Sequence, residues 1–331
     1  MRFLFKTDYA QDLRLFQHGG QVFWYGLLVL LLLAAPWIVG EYGLSQLQFV
    51  CIYSIVGLGL MLLVGFTGQI SLGHAAFLAV GAYTEALLQA RGVPFVVSLP
   101  AAAAFSAILG WVLGLPALRL KGVYLAIATL AFNVIIEEVI ARWEGLTGGN
   151  SGLHLKPVEF LGLKLDDDTG FYYLCLALTV LSVLGVLNLL RSPTGRAFVA
   201  IRDSEVSASC MGVNLAKYKT LSFALSAALT GVAGALYGHK VTFISPEQFT
   251  LLQSIELVTI VILGGVGFVH GAVLGSAFII VLPQLISMAK DYLPAGAGGG
   301  SGLQSVAFGL MLILFIVFEP MGLYGRWLKI R

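Results

Sequence analysis

Charge is what this sequence has least of. Only 11% of its 331 residues are Asp, Glu, Lys or Arg, 58% are apolar and the mean hydropathy is +0.92, whereas an average soluble domain is roughly 25% charged. A water-facing surface cannot be assembled from so few charges, which excludes a cytosolic enzyme, a secreted scaffold and a disordered segment. The formal net charge of +2 is too small to suggest a nucleic-acid partner. Cysteine is scarce as well: Cys51, Cys175 and Cys210 show neither C-x-x-C nor zinc-ligand spacing, which argues against a disulfide framework and a metal site. No G-x-x-x-x-G-K-[ST] phosphate loop and no dinucleotide fingerprint is present, so energy from a nucleotide has to arrive through another subunit. Regularly spaced arginines of a voltage sensor are missing too.

What the chain does have is apolar runs. A bilayer core about 30 Å thick takes about 20 helical residues to cross. Uncharged runs of that order occupy 22–40, 42–84, 92–118, 122–136, 169–190, 220–238, 257–289 and 292–318. The second is interrupted by Gly65, Phe66, Thr67 and Gly68, and the seventh by Gly264, Gly265, Gly267 and Gly271, so each divides. The expectation is an all-α polytopic membrane protein of about ten transmembrane helices. With both termini on one side, that side collects 13 Lys and Arg against 6 on the other, and the excess predicts cytoplasmic termini. The layout is then a cytoplasmic tail over 1–21, a transmembrane domain over 22–320 and a second tail over 321–331. A periplasmic loop spans 141–169, with the acidic cluster Asp166, Asp167 and Asp168, and a cytoplasmic loop spans 191–219. The first run is long enough to span, so it reads as an uncleaved helix rather than a removed signal. Ser54–Gly65 and Ser254–Gly265, offset by 200 residues, end in similar glycine-rich breaks, which hints at an internal duplication.

Gly65, Thr67, Gly68, Gln69, Ser71, Gly73 and His74 form the densest cluster of polar and helix-unfriendly residues at membrane depth. Backbone groups freed there cannot bond to lipid, so the break is buried in protein or lines a wet cavity. Two readings stand: a pathway element whose new helix aims N–H groups at a carboxylate, or a short cytoplasmic turn between spans. His74 reads as a packed, hydrogen-bonded side chain, since no acid lies at i±3 or i±4. Of the acids in apolar runs, Glu85, Glu137 and Glu138 fall near expected span ends and read as solvated. Glu256, one turn after Gln253, lies deeper and either meets a substrate ammonium or faces water at a helix start.

In the loop 191–219, Ser192 to Gly195 read as a turn, followed by one short helix from Arg196 to about Met211 capped by Gly212. A helix held along the membrane surface is something a partner protein can grip. The sole enzyme-like signal, Ser151 in G-N-S-G, is similar to the motif of intramembrane serine proteases, but its place in a polar loop favours a glycine-rich turn. An ion-coupled secondary transporter, which would rely on His74 and Glu256, is the other rival.

Five blocks in order carry a family likeness: GFTGQISLGHAAFLAVGAY (65–83), LKGVYLAIATLAF (120–132), LTGGNSGL (146–153), SPTGRAFVAIRDSEVSASCMGVN (192–214) and ILGGVGFVHGAVLGSAF (262–278). Together they resemble the M-type permease of bacterial branched-chain amino-acid ABC importers. Permeases for urea, short amides and other amino acids look similar. The resemblance implies that Arg202, Asp203, Glu205, Met211 and Gly212 form the segment that inserts into a cytoplasmic ATPase. It also implies that the Gly65–His74 segment and the Gly264–Gly271 break, with Gly264 and Gly265, lie near the translocation path, and that Gly148, Gly149 and Asn150 lie close to where a periplasmic binding protein docks. Phe268 and Ala272 depart from the family pattern. The implied assembly contains a homologous second permease, two ATPase subunits that carry ATP and Mg, and a binding protein, in the bacterial inner membrane. This chain itself holds no cofactor and performs no catalysis.

Overall fold

A backbone surrounded by hydrocarbon has to bond to itself, and almost every apolar run of the sequence is accordingly helical. The structure, a computed structural model, describes residues 19–160, 163–164, 167–290, 309–310, 313, 317–318 and 322–325. Residues 1–18, Asp166, most of the last apolar run and most of the C-terminal tail lie outside the described residues.

The helices are α1 (Gly19–Ile38), α2 (Glu41–Leu60, continued by a π-helical turn Met61–Phe66), α3 (His74–Ala90), α4 (Phe95–Ala117) and α5 (Val123–Arg142). After them come the one-turn α6 (Glu144–Thr147), α7 (Asp168–Arg191), the short α8 (Pro193–Asp203) and α9 (Glu205–Cys210), then α10 (Leu215–Val241), α11 (Leu251–Gly264) and α12 (Val269–Lys290). Six stretches among the described residues are long and apolar enough to cross a bilayer: 41–66, 95–117, 123–142, 168–191, 215–241 and 246–264. The apolar parts of α1 and α12 are shorter, at 26–38 and 269–285. Both expected divisions are present, at 67–73 and 265–268.

Four two-residue strands are the departure from an all-helical chain. Leu153–His154 (β1) pairs antiparallel with Phe243–Ile244 (β4), and Glu159–Phe160 (β2) with Leu163–Lys164 (β3). They lie where the chain leaves the apolar runs and its backbone groups need partners outside a helix.

Helix α2 is apolar on every side, and it is central. Around it α10 packs on α4, α3 and α2, while α7 and α12 cover the rest of α2. With lipid outside as apolar as the core, the helices are held by close backbone approach rather than by exclusion of water. A Cβ at Gly81 would sit 2.2 Å from the Gly231 carbonyl oxygen, one at Gly234 would sit 2.1 Å from that of Leu78, and one at Gly110 would sit 2.7 Å from that of Phe223. Only glycine permits these approaches.

The bundle has two distinct ends. One gathers the loops at 91–94, 143–160 and 242–250: Gln89 exchanges hydrogen bonds with the Lys156 backbone, and β1 pairs with β4. The other gathers the break at 67–73, the turn at 118–122, α8 with α9, and the break at 265–268. The alternating sides expected from the sequence are therefore segregated in space.

Two local expectations are corrected. Ser192–Gly195 is not a turn preceding a helix: Ser192 caps α8, its Oγ accepting from Gly195 N–H at 3.4 Å, and Pro193 takes the first helical position, where it forfeits no bond. The expected single helix 196–211 is two, because Ser204 leaves helical geometry to cap α9 by accepting from Ser207 N–H at 3.2 Å. Gly212 does end α9, with φ +84.

Candidate functional site

The break at 67–73 is enclosed by protein. Thr67, Gln69, Ser71 and His74 are buried, and three neighbouring helices supply hydroxyls to them. From α10, Ser222 Oγ accepts from Gln69 Nε2 at 2.8 Å and Ser226 Oγ meets His74 Nε2 at 2.7 Å. Ser226 Oγ also donates to the Gly59 carbonyl at 2.6 Å. From α5, Thr129 Oγ1 accepts from Leu72 N–H at 2.9 Å; from α11, Ser254 Oγ accepts from Ala75 N–H at 3.1 Å. Ser71 Oγ meets His74 Nδ1 at 3.0 Å.

This accounting bears on the carboxylate reading of the helix start. The amides of Leu72, Gly73, Ala75 and Ala76 all donate within the protein, so none of these four is left for an anion. His74 is packed and hydrogen-bonded on both ring nitrogens. One buried acceptor in the segment has no partner among the described residues, Gln69 Oε1. The sequence reading does not pick out Thr129, Ser222, Ser226 or Ser254 as polar partners of the break. Their signal is there in part: Ser222, Ser226 and Thr230 recur every four residues, one hydroxyl stripe on the face of α10.

The second break is closed by backbone contact. A Cβ at Gly264 would lie 2.0 Å from the Gly271 carbonyl oxygen, and Gly265 takes φ +108, a region that side chains rarely enter. The two breaks touch, since Gly267 N–H donates to Met61 Sδ at 3.2 Å and a Cβ at Gly65 would lie 2.8 Å from Gly267 N.

At the same end sits the segment 202–212. Arg202 Nη1 donates to the Gly65 carbonyl at 3.1 Å, while its Nε and Nη2 hold Asp203 Oδ1, each at 3.1 Å. Glu205 binds two lysines that the sequence gives no reason to select: Lys219 Nζ to Oε1 at 2.5 Å and Lys121 Nζ to Oε2 at 2.9 Å. Partial burial would raise the Glu205 carboxyl, but the hydrogen bonds and charges of Lys219 and Lys121 outweigh it and hold it below the ordinary carboxylate range. Val206 and Met211, 72% and 87% exposed, leave an apolar knob on this otherwise polar end.

At the opposite end, Gly148 (φ +70) and Gly149 (φ +55) make a tight turn with Asn150 and Ser151 exposed beside it. Glu85 is the residue whose reading changes most. It is 1% exposed rather than solvated: Ser98 Oγ donates to its Oε1 at 2.7 Å, and His239 Nε2 lies 3.1 Å from the same oxygen. His239 Nδ1 lies 3.0 Å from the Lys156 carbonyl, which can only accept, so that nitrogen carries a hydrogen. A partner from each of two other helices offsets the desolvation that a carboxyl at this depth otherwise meets. Glu256 is half-buried. Gln253 Nε2 donates to Tyr53 Oη at 2.9 Å beside it.

A family model described as the permease component of branched-chain amino acid transport systems matches residues 44–317. The high-affinity branched-chain amino acid transport system permease protein LivM of Salmonella typhimurium is 34% identical over 324 residues, covering 90% of this chain and 74% of the relative. LivM of Escherichia coli K12 is 35% identical over the same shares. BraD of Pseudomonas aeruginosa, named as a permease of the same kind of system, is 28% identical over 83% of this chain and 92% of its own. No solved structure matches the chain.

Proposed function

Because the chain belongs to the permease family of branched-chain amino acid transport systems, we propose that it works as one of two transmembrane subunits of an ATP-binding-cassette importer for branched-chain or similar apolar amino acids. It is a multi-pass membrane protein, and its relatives are transport subunits. The finer reading gives it ten spans with both termini cytoplasmic, in the bacterial inner membrane. It pairs with a homologous permease, two ATPase subunits that bind ATP and Mg, and a periplasmic binding protein.

The observation that carries this reading is the helix pair α8–α9. It lies at the end of the bundle where the sequence concentrates Lys and Arg, and it presents Val206 and Met211 to solvent. Exposed apolar side chains rimmed by charge mark a surface that docks another protein. In this reading Asp203, Met211 and Gly212 meet the ATPase, and Gly148, Gly149 and Asn150 meet the binding protein at the far end. Gly65, Thr67, Gly68, Gln69, Ser71, Gly73, His74, Gly264 and Gly265 border the cytoplasmic end of the path. Glu256, within two turns of the other end of α11, receives the substrate ammonium, and an apolar side chain needs little further polarity on its way.

The test is reconstitution of the complete complex in proteoliposomes, with labelled leucine as substrate. ATP-dependent uptake that disappears when the ATPase subunits are omitted is the expected result. Uptake by the chain without ATPases, driven by an ion gradient, overturns the proposal. So does a Met211→Cys variant whose thiol reacts with an impermeant maleimide only from the periplasmic side.

A further inference from the structure

The Arg202 side chain turns back towards the membrane domain. Although 38% of it stays exposed, its guanidinium is engaged on two edges at once. Nε and Nη2 grip Asp203 Oδ1, and Nη1 reaches the carbonyl of Gly65 in the π-helical turn that ends α2. Its stem is packed as well, because a Cβ added at Gly68 would lie 3.3 Å from Arg202 Cγ. The same Nη1 would stand 3.3 Å from a Cβ added at Gly267. Gly267 in turn donates its N–H to Met61 Sδ at 3.2 Å. One guanidinium at the C-terminal end of α8 therefore bonds to the backbone at the first break and stands beside the second, which the Gly267–Met61 bond ties to the first.

Broken helices are where a bundle changes shape at least cost, since the backbone there is not held by a continuous ladder of hydrogen bonds. A rigid side chain that joins such a place to a surface helix transmits displacement, provided that it cannot swivel. Arginine meets this condition because its planar fork holds two partners in a fixed relation; lysine, a single point donor on a flexible stem, does not.

We propose that Arg202 is a positioning residue that transmits movement of the α8–α9 pair to both helix breaks, rather than a contact to the ATPase itself. The proposal rests on the importer reading above. Arg202 couples the ATPase stroke to opening of the cytoplasmic end of the path by carrying Gly65 and Gly267 along with it. Asp203 orients the fork, and Met61 ties the second break to the first.

The experiment uses the whole complex and compares three variants: R202K, D203N and M61L. Two quantities are read, ATPase subunits retained on purification and substrate molecules imported per ATP hydrolysed. The expected result for R202K is normal retention of ATPase subunits with the import-to-hydrolysis ratio lowered at least fivefold. D203N and M61L lower the same ratio by smaller factors, although Met61 lies outside the surface segment. A merely structural role for Arg202 would lower import and hydrolysis together and leave their ratio unchanged, and that result overturns the proposal. Loss of ATPase subunits in R202K also overturns it, because Arg202 would then be a docking contact. If the wild-type chain retains no ATPase subunits, the importer reading itself fails and the proposal falls with it; that outcome is distinct from the other two.

Discussion

The two ends of the bundle are fastened by opposite means. At one, the Glu85 and His239 side chains are each 1% exposed, and through the Lys156 carbonyl they clasp the loop around Lys156 to α3 and α10. At the other, Lys219 is 4% exposed, but Glu205, which it pairs with, is a quarter exposed, and Lys121, Arg202 and Asp203 are more exposed still, so water reaches one side of every contact there. Removing one member of a buried hydrogen-bonded pair leaves its partner unsatisfied at about 1–3 kcal/mol, to which the cavity adds, whereas an exposed ion pair contributes about 0–1 kcal/mol. The first end is therefore a fixed clasp. The second can be undone and remade at small cost, which suits a part that moves.

Glu85→Ala tests the clasp and is the largest effect expected. It leaves the His239 imidazole and the Ser98 hydroxyl unsatisfied and facing a cavity, and should cost about 3 kcal/mol or more. The loss should appear as a fall of several degrees in the thermal unfolding midpoint in detergent, together with protease sensitivity in the 143–167 loop. A cost as small as that of Glu205→Gln would erase the difference between the ends.

Next in size is Gly81→Ala, placed between them. Its methyl would have to displace the Gly231 backbone, whose carbonyl oxygen stands 2.2 Å from the added carbon, and overpacking of that kind costs about 1–3 kcal/mol. Ser254→Ala should cost about 1–2 kcal/mol, because it strips the acceptor from the Ala75 amide inside the protein. Both are checked by the same thermal midpoint, and for Ser254→Ala the Ala75 amide should also exchange its hydrogen faster. An unchanged exchange rate would mean that the break is not held by α11.

These positions also mark where the sequence is legible. Spans and breaks follow from local composition: Gly65 to Gly68 and Gly264 to Gly267 interrupt apolar runs, and interruption is a one-dimensional fact. The grouping of 119–121 with 191–219 followed from counting spans, and the structure gathers both at one end. What the sequence could not give is pairing across the chain. Glu85 reads as a solvated span end until His239, 154 residues later, is seen beside it. Likewise Ser204 is one polar residue in a helical pattern, and only its side-chain bond to Ser207 N–H reveals the division between α8 and α9. The hydroxyls that bond to the first break come from three helices, and no spacing within any one of them encodes that convergence.

Glu205→Gln is the smallest change and the most diagnostic of the mobile end. Glu205 is a quarter exposed and Lys121 lies in water, and although the Lys219 side chain is 4% exposed, a glutamine keeps an oxygen to accept from it, so the loss should be about 1 kcal/mol at neutral pH. The sign with pH follows from the lysines. They hold the native carboxyl below its ordinary value of 4.5, so folding favours the charged form. The contribution is present in full above that ordinary value and is lost as the pH falls through the lowered native one. The gap in thermal midpoint between wild type and Glu205→Gln should therefore stay level from about pH 7 to about pH 5 and close on further acidification. A gap that instead opens as the pH falls would mean that burial outweighs the two lysines. The α8–α9 end would then be held by a neutral carboxyl, as firmly seated as the clasp at the other end.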